Sequence, residues 1–145
     1  MKNWENLTKK ANKAYSNHDF SEALALNQQA LNILETSFHE HFKVDTESYI
    51  SAAAVSFLNL AESYVALDNP LLANNQYENA INFLQAVLSH AEIESQHYCL
   101  VMHNVTRIRC EWEMFNEQQS KQSSQNTQVF STFTKAPYSG QVIHH

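Results

Sequence analysis

The stretch AYSNHDFSEALALNQQAL, residues 14–31, joins two helical patterns across one short polar turn. Small and apolar residues recur every three or four positions up to this turn and predict a first helix over about residues 3–17. Asp19 followed by Glu22 is typical of a capping box, in which Asp19 accepts hydrogen bonds from free backbone N–H groups. A second helix is therefore predicted to open after Asp19 and to extend toward Phe38. The two helices together form a helical hairpin.

A second hairpin and a fifth helix follow. One helix is predicted over about residues 46–67. The next opens at Asn69 and Pro70, because Asn69 can cap a helix and a proline at the first helical position loses no intrahelical hydrogen bond. Apolar residues at three-and-four spacing predict a fifth helix over about residues 93–118.

The overall composition favours helices and argues against several classes of partner. The chain has 145 residues with only 1 Gly and 2 Pro, which favours a single all-α domain over folds that need many tight turns. Its 9 basic and 15 acidic residues give a formal net charge of −6, so nucleic acid is not an expected partner. No apolar run approaches the roughly 18 residues of a membrane span, and we expect a cytoplasmic protein without membrane contact.

A shift of 50 residues superimposes the first hairpin on the second. It places ALNIL at residues 30–34 on AINFL at residues 80–84. Small side chains at fixed positions let two helices approach closely, while larger neighbours fill the adjacent groove. The paired alanines are therefore predicted to be contact points between helices. These pairs are Ala11 with Ala61, Ala23 with Ala73 and Ala30 with Ala80.

This pattern of small and aromatic residues, over about residues 4–90, resembles the tetratricopeptide repeat (TPR). Alanine takes the usual glycine position in both repeats, and the period exceeds the family's usual length of about 34 residues. The resemblance implies antiparallel helical hairpins in a right-handed superhelical stack, with the fifth helix as a possible cap. It also implies a concave face that binds peptides or proteins without catalysis. The residues that carry it are Ala11, Phe20, Ala23, Ala30, Ala61, Tyr64, Ala73, Tyr77 and Ala80.

The resemblance further implies that the first helix of each hairpin lines the binding groove. In TPR domains that hold a partner's C-terminal carboxylate, these helices present asparagines and basic side chains inward, and Asn12 and Asn59 match the asparagine positions. Arg107 or Arg109 on the fifth helix would supply the cation. Glu62 would repel a carboxylate, so an uncharged or mixed groove stays open as an alternative. The predicted peptide-binding groove comprises Asn12, Tyr15, Asn59, Glu62 and Arg107.

No group of residues predicts catalysis or a bound metal. Cys99 and His103 share a helix face, but a continuous helix offers no oxyanion site, and burial of Cys99 at a helix interface is the simpler expectation. His39 and His41 point about 200° apart on a helix and lack a second pair of ligands. We therefore predict a non-catalytic adaptor without cofactor or metal, whose partner is a protein or peptide of unknown identity.

The C-terminal region supports an alternative. From Ser120 the residues are mainly Ser, Gln, Asn and Thr, which predicts a helical domain over residues 1–119 and a flexible or docking tail over residues 120–145. A short helical array exposes apolar surface at its ends unless it is capped, so an alternative interpretation of Trp112 and Phe115 is a dimer seam. The alternative is thus a homodimeric structural protein that associates through the fifth helix and the tail.

Overall fold

A computed structural model describes the backbone of residues 1–90 and 93–134 and the side chains of residues 1–90 and 93–123. Within these residues the fold is all-α and has no strand, which confirms the predicted all-α class. A first compact unit ends at Arg109 and contains five helices and the first part of the sixth. The helices are α1 (Lys2–Ser16), α2 (Phe20–Thr36), α3 (Phe38–His41), α4 (Thr46–Ala66), α5 (Pro70–Leu88) and α6 (Ser95–Thr134).

Three of the helices begin with a side-chain cap. Asp19 and Asn69 accept hydrogen bonds from the backbone N–H groups three residues later, at 3.3 Å in each case. These bonds satisfy donors that have no partner within the helix, and they confirm the predicted capping roles. Asp45 caps α4 in the same way, and its hydrogen bonds with Ser48 lower the pKa of its carboxyl group.

The turns that end α1 and α4 have the same geometry. His18 and Asp68 both adopt the left-handed conformation, with φ angles of 62° and 57°. One residue further on, the backbone N–H groups of Asp19 and Asn69 each donate to the carbonyl group five residues earlier at 2.9 Å. This is the hydrogen bond of a Schellman motif, which satisfies the last carbonyl groups of a helix. The 50-residue repeat therefore extends from the helices to the turns between them.

The paired alanines are fully buried where the helices pack. All six have an exposed fraction of 0% or 1%, which confirms their predicted burial. In the first unit α1 packs on α2, α4 packs on α5, and α2 also packs on α4. Residues 21–36 and 71–86 show the same order of buried, half-buried and exposed positions throughout. The two repeats therefore use equivalent faces of α2 and α5, and the small side chains lie on those faces.

An aromatic cluster fixes the connection between α2 and α4. The ring centroids of Phe38 and Phe42 lie 4.7 Å apart, and the ring of Tyr49 lies 5.5 Å from Phe38 and 5.8 Å from Phe42. The Tyr49 hydroxyl donates to the backbone carbonyl of Leu34 near the end of α2. The second helix ends at Thr36, before Phe38, because the chain turns here into the short helix α3.

The last helix is longer than predicted. It continues to Thr134, whereas the apolar pattern predicts an end near residue 118. Residues 93–134 contain neither Gly nor Pro, so no residue in this span interrupts the helix even though its composition turns polar. The predicted tail over residues 120–145 is thus helical as far as Thr134, and its last residues lie outside those that the structure describes.

The close approach at the alanines yields a first prediction. We expect Ala30→Leu to lower the free energy of unfolding by about 1–3 kcal/mol, because Ala30 is 0% exposed and the added atoms would force α2 away from its neighbours. The control is Ala25→Leu, an exposed position on the same helix, which should change stability by less than about 0.5 kcal/mol. Urea unfolding followed by circular dichroism measures both values, and equal losses in the two variants would contradict close packing at Ala30.

The buried hydroxyl of Tyr49 yields a prediction for alkaline pH. Burial, together with the negative charge of Glu35, raises the pKa of Tyr49 from 10.0 to about 12. In the unfolded chain the Tyr49 hydroxyl ionises near its ordinary pKa. The contribution of the protonated hydroxyl to the free energy of unfolding is therefore complete below about pH 10 and is lost as the pH rises toward about 12. We expect Tyr49→Phe to flatten the fall in the free energy of unfolding across that range. Tyr98→Phe, at a residue that is 45% exposed, should leave the wild-type slope in place.

Candidate functional site

The candidate site lies where α1 and α4 flank α2. Both helices pack against α2. They are also joined directly, since the indole Nε1–H of Trp4 donates to the Ser56 hydroxyl at 2.7 Å. Residue numbers rise in the same direction along both helices from this bond to the pocket, so α1 and α4 run parallel. Three helices can therefore contribute side chains to a common surface.

A pocket of about 220 Å³ opens between these three helices. It brings together four of the five residues of the predicted groove, namely Asn12, Tyr15, Asn59 and Glu62. The fifth, Arg107, is an exposed residue of α6 that does not line this pocket. The lining residues that the structure describes are Asn12, Tyr15 and Ser16 from α1, Asn27 from α2, and Asn59 and Glu62 from α4.

Asn27 is the unusual residue of this pocket. It is only 3% exposed, and its side-chain oxygen Oδ1 has no hydrogen-bond partner among the residues that the structure describes. A buried polar atom without a partner costs about 1–3 kcal/mol. The equivalent residue of the second repeat, 50 positions later, is Tyr77, which is 5% exposed. The first repeat therefore carries a destabilising amide at a position where the second carries an aromatic ring.

Thr8 shows the same difference between the repeats. It is 8% exposed, and its hydroxyl also has no partner among the described residues. The equivalent residue of the second repeat is Leu58, which is 3% exposed. Among the described residues, both buried polar groups without partners thus belong to the first repeat. Thr8 lies on α1 and Asn27 on α2, and both helices contribute residues to the pocket.

The rim of the pocket combines an aromatic ring with one charge. Tyr15 is 37% exposed, and its ring packs edge-on against Phe20 at a centroid distance of 5.0 Å. Glu62 is the one charged side chain among the described lining residues. The other described lining side chains are uncharged amides, hydroxyls and the Tyr15 ring.

The 50-residue spacing of the repeat corrects the assignment of Asn12 and Asn59 to matching positions of the two repeats. At a spacing of 50 residues, Asn12 corresponds to Glu62, and Asn59 corresponds to Lys9. The two asparagines are therefore not equivalent positions of the two repeats. They line one pocket because α1 and α4 lie side by side on α2.

Sequence reasoning missed two lining residues, Ser16 and Asn27. Ser16 is the last residue of α1 and carries no pattern of its own. Asn27 has a signal, because it interrupts the buried face formed by Ala23, Ala30 and Leu34. A comparison of each buried position with its partner 50 residues later would have identified Asn27 as the polar exception.

The other candidates from the sequence do not form a second site. Cys99 is exposed, so the expectation that it is buried at a helix interface is wrong. Among the described residues, no three His, Cys, Asp or Glu side chains are placed to hold a metal ion. None of the helices in the described part of the chain combines the length and the hydropathy that a membrane crossing needs. On α6, Tyr98 and Met102 are 45% and 49% exposed, but the homodimer alternative also involves residues beyond 134, which lie outside the described part.

The fold and the pocket define a class, an all-α repeat protein with a small polar pocket where three helices meet. The chain belongs to the DUF2753 family of proteins of unknown function, whose sequence pattern matches residues 2–135. Comparison with curated proteins and with solved structures gave no match.

The Oδ1 atom of Asn27, which has no partner among the described residues, yields a prediction for stability. We expect Asn27→Leu to raise the free energy of unfolding by about 1–3 kcal/mol, because leucine has a similar size and removes the buried polar group. Asn79→Leu makes the same chemical change at an exposed position of α5 and should alter stability by less than about 0.5 kcal/mol. Thermal and urea unfolding measure both variants. A loss of stability in Asn27→Leu would show that the amide is needed by the free protein.

Proposed function

We propose that this protein is a non-catalytic adaptor that binds a segment of another polypeptide in the pocket between α1, α2 and α4. The observation that carries the proposal is Asn27, whose buried oxygen lacks a partner although the rest of the pocket lining is polar. Buried polar groups are almost always hydrogen-bonded in native proteins. A bound polypeptide that moves the neighbouring lining side chains aside would donate to this buried oxygen and recover the stability that it costs the free protein.

The repeated architecture supports a TPR-like arrangement of antiparallel hairpins in a right-handed stack. Its support is the 50-residue repetition of buried alanines, of side-chain caps and of left-handed turn residues. In such a stack the first helices of successive hairpins run parallel and share one face, as α1 and α4 do here. The pocket would then lie on the concave face, where TPR-like domains bind peptides.

The chemistry of the pocket supports binding rather than catalysis. Its described lining holds three asparagines, a serine, a tyrosine and a single carboxylate. Amides do not ionise near neutral pH, and general acid–base catalysis by side chains needs groups that do. The two cysteines are free and exposed, which fits a reducing compartment, and we propose that the adaptor works in the cytoplasm.

Selection from a phage-displayed library of random octapeptides tests the proposal. We expect the wild-type protein to enrich peptides that bind the Asn27→Leu variant at least tenfold more weakly than wild type. The reason is that leucine cannot accept a hydrogen bond from the ligand. Asn79→Leu is the matched control and should retain wild-type affinity. Isothermal titration calorimetry with the enriched peptides gives the affinities. Enriched peptides that bind wild type and Asn27→Leu equally would show that the pocket is not the binding site.

A further inference from the structure

We infer that the outer face of α1 binds acidic side chains of the partner polypeptide. The lysine face, as we call this surface, consists of Lys2, Lys9, Lys10 and Lys13. The inference rests on the proposed function for the kind of partner, and it adds a second contact surface beside the pocket. It is carried by the placement of the lysines on one helix, by their exposure without ion pairs and by the opposite charge of the residues that follow.

Three of the lysines form a row along α1. At about 100° per residue, Lys2, Lys9 and Lys13 fall within about 40° of one another around the helix axis. Ala11, on the opposite side of the helix, is completely buried. Lys10 lies about 60° to one side of the row, and all four lysines are exposed. The row is therefore the outer face of α1, which faces solvent.

The charge of the lysine face is opposite to that of the residues after it. Residues 1–18 contain 4 Lys and 1 Glu, a formal charge of +3, whereas residues 19–106 contain 1 Lys and 11 acidic residues, a formal charge of −10. Despite this excess of carboxylates, none of the four lysines forms an ion pair or a side-chain hydrogen bond within the described part of the chain. Their charges are therefore available to an anionic partner.

The lysine face borders the pocket. Lys9 precedes Asn12 by three residues, and Lys13 precedes Ser16 by three residues. Side chains three residues apart are neighbours on a helix, and both Asn12 and Ser16 line the pocket. A polypeptide that leaves the pocket across α1 therefore passes over Lys9 and Lys13.

The spacing of the lysines suits an extended acidic segment. Lys9 and Lys13 are four residues apart, so they are separated by about 6 Å along the helix. In an extended chain, alternate side chains point to the same side and are spaced about 6.6–6.8 Å apart. Acidic residues at alternate positions of the partner can therefore face both lysines at once.

The size of the lysine face favours a polypeptide over a membrane or a nucleic acid. The row from Lys2 to Lys13 is about 16 Å long, which an extended segment of about five residues covers. A membrane surface or a nucleic acid extends much further. It would also come close to Asp19 and Glu22, which begin the helix that packs on α1, and their charges act over a Debye length of about 8–10 Å. A short acidic segment avoids this repulsion.

Parallel selections from the phage-displayed octapeptide library test the inference. We expect wild-type protein to enrich peptides with Asp or Glu at alternate positions at least twofold over the unselected library. The double variant Lys9→Gln, Lys13→Gln should lose this enrichment, because it lacks the charges that attract carboxylates. The matched control is the double variant Arg109→Gln, Lys121→Gln, which removes the same charge at exposed positions of α6 and should keep the enrichment.

Fluorescence anisotropy with the enriched peptides, synthesised with capped ends, locates the contact. Replacement of the two acidic residues of a peptide by Gln should weaken its binding to wild type about fivefold at low salt. The same replacement should have no effect on binding to Lys9→Gln, Lys13→Gln, since the two changes remove the same interaction. The fivefold difference should shrink in about 0.5 M salt because salt screens exposed charges.

The outcomes distinguish this inference from the proposed function. Peptides that weaken in Asn27→Leu but show no acidic enrichment, or an enrichment that persists in Lys9→Gln, Lys13→Gln, would overturn the inference and leave the proposed function standing. An enrichment that depends on Lys9 and Lys13, in peptides that bind Asn27→Leu like wild type, would support the lysine face and overturn the pocket. A selection that enriches no peptide would overturn both.

Other occupants of the lysine face are tested with the same double variant. The probes are vesicles of phosphatidylglycerol and phosphatidylcholine in equal amounts, a single-stranded DNA oligonucleotide, and the protein itself in sedimentation at low salt. We expect each to bind wild type more weakly than the acidic peptides do. Tighter binding of any of them that is lost in Lys9→Gln, Lys13→Gln would overturn the assignment of the lysine face to an acidic polypeptide.

Discussion

The close approach of helices at buried alanines is the constraint on which the first unit depends. Ala11 and Ala23 are completely buried, and so are their counterparts in the second repeat. An alanine side chain ends at Cβ, so it allows two helix backbones to pack more closely than leucine would permit. The same contacts fix the rotation of each helix about its axis. Because α1 and α4 are both set against α2 in this way, residues far apart in sequence meet in one pocket.

The two repeats share the packing at the buried alanines, but they differ in the other side chains that they bury. The second repeat fills the equivalent positions with Leu58 and Tyr77, whereas the first places Thr8 and Asn27 there. The turns that end α1 and α4 and the caps that begin α2 and α5 have the same geometry, so the difference at these two positions lies in the side chains. Proteins tolerate a destabilising group of this kind where it serves a site, and sites are less than optimal for stability. This difference is the reason that the proposed binding site is placed in the first repeat.

The sequence predicts the features that depend on neighbouring residues or on periodicity. Capping by Asp19 and Asn69 is a local interaction, and the burial of the alanines follows from the 50-residue repeat. The length of α6 is less predictable, since a polar segment without Gly or Pro can be helical or disordered according to its contacts. The family resemblance assigns Arg107 to the groove, but a resemblance confined to residues 4–90 does not determine where α6 presents its side chains. Asn27 becomes conspicuous only when each buried position is compared with its partner 50 residues later, which for Asn27 is Tyr77.

The proposed role, holding a polypeptide and releasing it unchanged, fits a pocket lined by amides. Asn12, Asn27 and Asn59 offer hydrogen bonds whose strength does not vary with pH near neutrality, because amides do not titrate there. Each such bond contributes little net stability, since the groups exchange water for a partner. Asn27 is the exception, because burial already removes its oxygen from water in the free protein. In the proposed complex, a donor that reaches this oxygen would meet an acceptor that has no hydration to lose, so this contact would contribute more to affinity than one with the exposed amide of Asn12.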